Sequence, residues 1–315
     1  MRTLHGLDHL PLAVPGSVVT LGVFDGVHLG HQAVIERTRT WSRELGVPAV
    51  GVTFRNHPGL VLGPEGPPLI MSLEHRLLLL DRHGLDVCLV LDFTRELSEM
   101  PAETFTRLVF VQGLAARVIV LGFDAHFGRG RQGDAKFLES EGVRYGFRVE
   151  SIGPVEAGGL RVSSTAVREG LARNDLEAVR AMLGRPYSIL GLVVRGEGRG
   201  RALGYPTANL ELQQELIPPG GVYVARARVA ASWLQALVSI GDKPTFRSAS
   251  RAVQPAVEVH LVDYCGGELY GTRMEVEFLA RLRAQEKFTD PRDLAARIGD
   301  DVDRARRYFA GDLEG

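Results

Sequence analysis

The sequence predicts a two-part chain: an α/β domain built on a parallel sheet with helices on both faces, then a small antiparallel β-barrel followed by one C-terminal helix. Three observations carry this prediction. From residue 18 to about 183, short apolar runs alternate with helical periodicities, the pattern of a parallel sheet. From Tyr187 onward, strand-like runs follow one another with only the turn signals GEGRG, PPGG, GDKP and CGGE between them. Finally, a chain of 315 residues is long for a single core. The division falls near Gly184 to Pro186, giving domains 1–184 and 185–315.

Val18, Val19, Leu21 and Val23 read as a strand that is apolar on both faces, and Asp25-Gly26 breaks it. A helix starts near Gly30, with Val34, Thr38, Trp41 and Leu45 at helical spacing and Gly46 placed to stop it. Strands are expected over 47–54, 87–91, 118–121 and 148–152. Helices are expected over 72–83, with Leu73, Leu77 and Leu80 on one face, and over 102–112, 136–145, 164–171 and 176–183. In the second part, strands are expected over 189–195, 222–229, 234–240, 256–262 and 273–278. The last helix has Asp290 as N-cap, Pro291 at its first position, Asp293 favouring the N-terminal dipole, and a stripe of Leu294, Ile298, Val302 and Ala305.

Composition narrows the function classes. Apolar residues make up 45% and charged residues 24%, enough for an ordinary core. A formal net charge of -1 argues against a dedicated nucleic-acid or membrane surface. No stretch approaches the ~20 apolar residues of a membrane span, and the start MRTLHGLDHLPL lacks the pattern of a signal peptide. Cys88 and Cys265 lie far apart and suggest neither a disulfide framework nor a metal site. A reducing cytoplasm is the expected location.

The richest stretch is TLGVFDGVHLGH, Thr20 to His31. It puts His28 and His31 where a strand ends and a helix begins, the place where open α/β sheets bind ligands. A helix start offers unpaired N–H groups and a positive dipole end, and Gly22, Gly26 and Gly30 leave room for an anion. Taken alone, an ordinary loop or a metal-binding H-x-x-H pair also fits, although no Cys or Glu nearby completes a metal set. Three segments could join this site. Asn56-His57-Pro58 by itself reads as a turn. GFDAHFGRGRQG, 122–133, follows a strand and is either a phosphate-binding loop or a solvated turn. In RVSSTAVR, 161–168, Ser163 or Ser164 either caps the next helix or, with Arg168, holds phosphate.

In the second part, GEGRGRALGYPTAN, 196–209, is glycine- and arginine-rich but is not a Walker motif. If the tail is extended, Thr207 and Asn209 point to one face and offer oxygen ligands to a hard cation such as Mg²⁺; the alternative is a simple side-chain turn. Glu258 and His260 face the side opposite the apolar Val257, Val259 and Leu261. A surface-facing glutamate is the plain alternative.

H-x-G-H, His28 to His31, resembles the signature of the nucleotidyltransferase superfamily, with its Rossmann-like, HIGH-type sheet. The wider set resembles the bacterial bifunctional riboflavin kinase/FMN adenylyltransferase (FAD synthetase) family. That set is T-L-G-x-F-D-G-V-H-x-G-H, T-F-x-x-H-P, G-F-D-x-x-F-G-x-x-R-x-G-D, S-S-T-x-x-R and L-G-R-P-Y, then GRGRALGYPTANL, GVYVARARV, IGDKPTF, VEVHLVDYCGGELYG and LRAQEKF. Arg55-Asn56, Ala125-His126 and Val162 depart from the family's commoner residues and bear on flavin contact.

The resemblance implies a nucleotidyltransferase domain joined to a riboflavin kinase barrel. Riboflavin and ATP would give FMN, and FMN with a second ATP would give FAD and pyrophosphate. His28 and His31 would attend the transferring phosphate and leaving group. Gly22, Phe24, Asp25, Asn56, His57, Asp124, Ser163, Ser164, Thr165 and Arg168 would bind nucleotide or FMN. Glu258 would be the base for the riboflavin 5′-hydroxyl, and Thr207 and Asn209 would hold Mg²⁺ and ATP. Gly198, Arg199, Gly200 and Arg201 would close over phosphates, and Arg283 would reach the flavin side. The expected partners are small molecules, with no nucleic acid and no membrane, and the chain is expected as a monomer or weak homo-oligomer. Two other readings compete: a barrel that only senses flavin, and a non-enzymatic nucleotide or RNA binder, which the near-neutral charge disfavours.

Overall fold

A computed structural model describes residues 1–63, 66–213, 216–241 and 255–312. The chain forms two compact units, Met1–Ala166 and Val167–Gly315. The division therefore falls before the helices at 164–183 have ended.

In the first unit, β1 (Arg2–His5), β2 (Ser17–Leu21), β3 (Ala49–Phe54), β4 (Val87–Leu91), β5 (Ala116–Gly122) and β6 (Arg148–Ile152) form one parallel sheet in the order β1-β4-β3-β2-β5-β6. Every residue of β2, β3 and β4 is buried, as continuous apolar runs require of a sheet covered on both faces. Val19, Leu21, Val52 and Leu89 face one core with Phe105 and Phe110. Ala49, Cys88 and Val90 face the other with Ile35, Leu79 and Leu80. From β2 the chain winds one way through β3 and β4, then the other way through β5 and β6. The reversal lies between β2 and β5, so the crevice at their C-terminal ends is the topological switch point.

Helices α1 (Leu29–Leu45), α2 (Gly59–Leu62), α3 (Leu73–Arg82), α4 (Arg95–Glu99), α5 (Ala102–Phe105) and α6 (Ala135–Tyr145) connect these strands. Gly46 stops α1 in the left-handed conformation that its lack of a side chain permits. The buried face of α1 is Val34, Ile35, Thr38 and Ser42, whereas Leu45 is exposed, so the expected stripe turns away from the core at its C-terminal end. In α3 the fully buried residues are His75, Arg76, Leu79 and Leu80, and the expected Leu73 and Leu77 pack partly buried against the same core. The helix expected over 102–112 is helical but not uniform: after α5 it widens to π-helical pairing over Thr106–Gly113. β1 was not anticipated, because only Leu4 of its four residues is buried. A short hairpin, β7 (Glu156–Ala157) and β8 (Leu160–Arg161), turns through Gly158 and Gly159, both at positive φ.

The second unit takes in most of α7 (Ser164–Ala172), all of α8 (Leu176–Leu183), and a closed barrel. Its strands are β9 (Tyr187–Val194), β10 (Ala208–Leu212), β11 (Gly221–Val229), β12 (Ser232–Gly241), β13 (Ala256–Leu261) and β14 (Arg273–Arg283), joined antiparallel in the order β10-β13-β12-β11-β14-β9. A single turn, α9 (Arg199–Ala202), lies between β9 and β10. β14 runs five residues beyond the expected 273–278 and bulges where it pairs with β11. The last helix, α10 (Pro291–Ala310), is capped by the Asp290 side chain with Pro291 in its first turn. It packs Val302 and Ala305 with Ile298 against the barrel residues Val222, Val224 and Leu237. Residues 242–246 of the IGDKPTF motif lie outside the described residues.

Candidate active sites

The first site lies on the turn between β2 and α1. His28 caps its own helix, its Nδ1 accepting the His31 N–H at 3.4 Å. The two imidazoles stack with centroids 3.6 Å apart and planes 17° apart, and Phe24 meets His31 edge-on at 5.3 Å. Two glycines make room for these rings. A Cβ on Gly30 would sit 3.1 Å from the His28 ring, and one on Gly22 would sit 3.1 Å from the Phe24 ring. His31 is partly buried as a residue, and its Nδ1 is buried with no hydrogen-bond partner among the described residues. Burial first, then the neighbouring His28 and Arg76, push the His31 pKa well below its ordinary value. His31 is therefore a neutral imidazole at pH 7.

Asp25 does not face outward as a ligand. It is 2% exposed, and its carboxylate accepts the Ile70 N–H at 3.0 and 3.1 Å and the Met71 N–H at 3.3 Å. The Ser164 hydroxyl donates to the Asp25 carbonyl at 2.9 Å, which ties the start of α7 to the histidine turn. Ser163 Oγ accepts the Ala166 N–H at 3.1 Å in the capping role, and Thr165 is exposed. Arg168 lies one turn further along α7, past the division between the units. Asn56 exchanges two 2.9 Å hydrogen bonds with the backbone of Phe93, so its amide bridges two strand ends. His57 Nδ1 accepts the Gly59 N–H at 3.0 Å. Asp124, just past β5 at the switch point, is exposed, with Arg161 at 4.0 Å. Sequence reasoning missed Arg76, which is wholly buried and donates to the carbonyl of Val23 at 2.5 Å. The signal was present, since Arg76 falls on the Leu73–Leu80 stripe at helical spacing.

The second site lies on the barrel. Burial along β13 alternates, with Val257, Val259 and Leu261 inside and Glu258 and His260 on the other face, as predicted. Asn209 on β10 and Ser239 on β12 pair directly with Glu258 from either side. The Thr207 hydroxyl donates to Glu258 Oε2 at 3.3 Å. His260 Nδ1 lies 2.9 Å from the Pro206 carbonyl, and Tyr205 meets the His260 ring edge-on. Glycines crowd these groups: a Cβ on Gly200 would lie 3.2 Å from Thr207 Oγ1, and one on Gly196 would lie 2.9 Å from Asn209 Oδ1. Gly198 begins α9 at a φ of 73°. The Arg199 guanidinium is paired with Glu197, while the Arg201 side chain is exposed. Arg283 does not open toward this cluster; Asp301 of α10 holds its guanidinium at 2.7–3.1 Å.

The donors at the barrel site are a hydroxyl, an amide oxygen and a carboxylate, the chemistry of a hard cation that keeps few protein ligands. Thr207 and Asn209 thus fit Mg²⁺ held jointly with phosphates. Among the described residues no group of three or more His, Cys, Asp or Glu side chains could hold a metal ion. No helix among them is long and apolar enough to cross a membrane.

Two family models match successive parts of the chain. A family model described as FAD synthetase matches residues 11–166, and one described as riboflavin kinase matches residues 183–309. The bifunctional riboflavin kinase/FMN adenylyltransferase of Pseudomonas fluorescens is 38% identical, over 98% of both chains. That of Bacillus subtilis (strain 168) is 35% identical, over 93% of both. A crystal structure titled as a macrolide-efflux protein from Streptococcus pneumoniae superposes with a TM-score of 0.83 at 29% identity, covering 97% of this chain and 99% of that one. The relatives are 35–38% identical over nearly the full length of both chains, and the chain belongs to the bifunctional riboflavin kinase/FMN adenylyltransferase family.

Proposed function

We propose that each unit carries one of the two activities: the barrel phosphorylates riboflavin with ATP, and the α/β unit adenylylates the resulting FMN with a second ATP to give FAD and pyrophosphate. The observation that carries this reading is that each unit holds one compact cluster of the expected residues. His28 and His31 stack at the switch point, while Thr207, Asn209 and Glu258 meet on the barrel.

At the barrel, Glu258 takes the proton of the riboflavin 5′-hydroxyl as that oxygen attacks the γ-phosphorus of ATP, the bond to the bridging β–γ oxygen breaks and ADP leaves. The base must sit within hydrogen-bond reach of the hydroxyl, and a carboxylate on the polar face of β13 can do so. Thr207 and Asn209 would hold Mg²⁺, which shields the phosphate charge when bound. The backbone over Gly198 to Arg201 would close over the phosphates. At the α/β unit, an FMN phosphate oxygen attacks the α-phosphorus of ATP and pyrophosphate leaves. No covalent enzyme intermediate is needed, so the protein positions two polyanions and stabilises developing charge. His31, being neutral, contributes hydrogen bonding instead of a full charge. Ser163, Ser164 and Thr165 at the start of α7 would contact phosphate oxygens, with Gly22, His57 and Asp124 bordering the bound nucleotide or flavin and Phe24, 1% exposed, backing the His31 ring. The observed partners of Asp25 and Asn56 give them supporting roles.

The same reading sets the functional boundary at residue 184. It also takes the chain to act on small molecules in the cytoplasm as a monomer or weak homo-oligomer, without a nucleic-acid partner. Chromatography of riboflavin incubated with the protein, Mg²⁺ and ATP tests it. The unmodified chain yields FMN and then FAD. E258Q should form no FMN yet convert supplied FMN to FAD, and H28N should stop at FMN. Unchanged riboflavin phosphorylation in E258Q would overturn the base assignment.

A further inference from the structure

Arg76 has no exposed surface, although a guanidinium is among the costliest groups to take out of water. Its Nη1 donates to the Val23 carbonyl at 2.5 Å and to Thr53 Oγ1 at 3.3 Å, and the Thr53 hydroxyl donates to the same carbonyl at 3.1 Å. Its Nε and Nη2 have no hydrogen-bond partner among the described residues. The rest of this buried face is His75, Leu79 and Leu80.

The geometry of the turn accounts for the buried arginine. Phe24 has a φ of 53° and Val27 a φ of 41°, left-handed values that cost a side-chain-bearing residue about 1–3 kcal/mol each. Both side chains are buried against α3, which anchors the turn from one side. The polar anchors run in both directions. Asp25 reaches from the turn to the N–H groups of Ile70 and Met71, which lead into α3. Arg76 reaches from α3 back to Val23, which leads into the turn. Burial lowers the Arg76 pKa, and the Asp25 carboxylate opposes that shift by favouring the charged guanidinium.

We propose that Arg76 and Asp25 form a buried reciprocal clamp that holds the strained turn bearing His28 and His31, making Arg76 a positioning residue for adenylyl transfer. This rests on the reading that the histidine pair serves that reaction. Methionine occupies much of the space of Arg76 without its donors, and lysine keeps the charge but not the planar guanidinium whose Nη1 reaches both Val23 and Thr53. Displacing reacting groups by an ångström can cost about 100-fold in rate. In the full-length chain, R76M should therefore lose about 100-fold in kcat for FAD formation from FMN and R76K about 10-fold. KM for ATP should stay within about threefold, because ground-state binding is not what the clamp supplies. Riboflavin phosphorylation by the same preparations reports that the barrel is intact.

A double-mutant cycle separates a clamp from general core support. D25N/R76M should be no slower than R76M alone, whereas independent packing losses would add. If R76M fails to fold, R76K decides. Wild-type kcat in R76K, losses confined to KM, or additive effects in the cycle would each overturn the clamp. H28N is the control for the underlying reading. If H28N retains FAD formation, the reading of the histidine site fails; if H28N loses it while R76K does not, the clamp alone fails.

Discussion

At the scale of single residues, the histidine turn shows how burial sets protonation. His31 stacks on His28, its Nδ1 is buried, and the Arg76 cation acts on it. The folded chain therefore keeps His31 neutral well below the ordinary histidine range, whereas the unfolded chain takes up a proton near pH 6.5. Below that pH the unfolded state binds more protons, so stability falls as the solution is acidified and recovers as pH rises through 6.5. The full slope is about 1.4 kcal/mol per pH unit for one group. The first unit should lose about 1 kcal/mol between pH 7.5 and pH 5.5 that H31Q does not lose. Urea titrations followed by Trp41 fluorescence in a W233F background would measure this. Equal losses in the two proteins would show that His31 protonates freely in the folded state.

At the scale of elements, the sheet was legible because β2, β3, β4 and β5 are nearly continuous apolar runs, and a helix–strand alternation has few parallel-sheet solutions. The polar face of β13 was legible from its period of two. β1 was not, because an edge strand with one buried residue carries almost no hydrophobic signal. β10 was seen only as an extended tail, since its five residues include just one that is fully buried. The roles of Asn56, Asp25 and Arg283 were least legible: a motif shows that a polar residue is placed for a reason, but not whether it faces a ligand or another strand. Arg283 makes the point. Its side chain is 10% exposed and pairs bidentately with Asp301, which is 3% exposed, so the pair ties the end of β14 to α10. Removing one partner strands the other charge in a low-dielectric interior, which typically costs about 3–5 kcal/mol. D301A should therefore destabilise the barrel unit by that amount in thermal or urea unfolding. D290A, which removes only the helix cap, should cost about 1 kcal/mol. A D301A loss no larger than that of D290A would mean that the ion pair does not anchor the helix.

At the scale of the whole molecule, the two residue sets have no member in common. The family models meet their own segments, 11–166 and 183–309, without overlap, and the compact units divide the chain in the same region. If each unit is chemically complete, FMN is both the product of one and a diffusible substrate of the other. Two inactive halves on different chains should then complement each other. E258Q alone turns riboflavin into neither flavin nucleotide, and H28N alone stops at FMN. An equimolar mixture should make FAD from riboflavin after a lag in which FMN accumulates. The lag should shorten as the H28N protein is raised, because that protein sets the rate of FMN supply, and added FMN should abolish it. Stopped samples resolved by chromatography would follow riboflavin, FMN and FAD together. A mixture that accumulates FMN but forms no FAD, while E258Q still adenylylates supplied FMN at the unmodified rate, would contradict a free hand-over. The two sites would then have to be intact in one chain for FMN to pass between them.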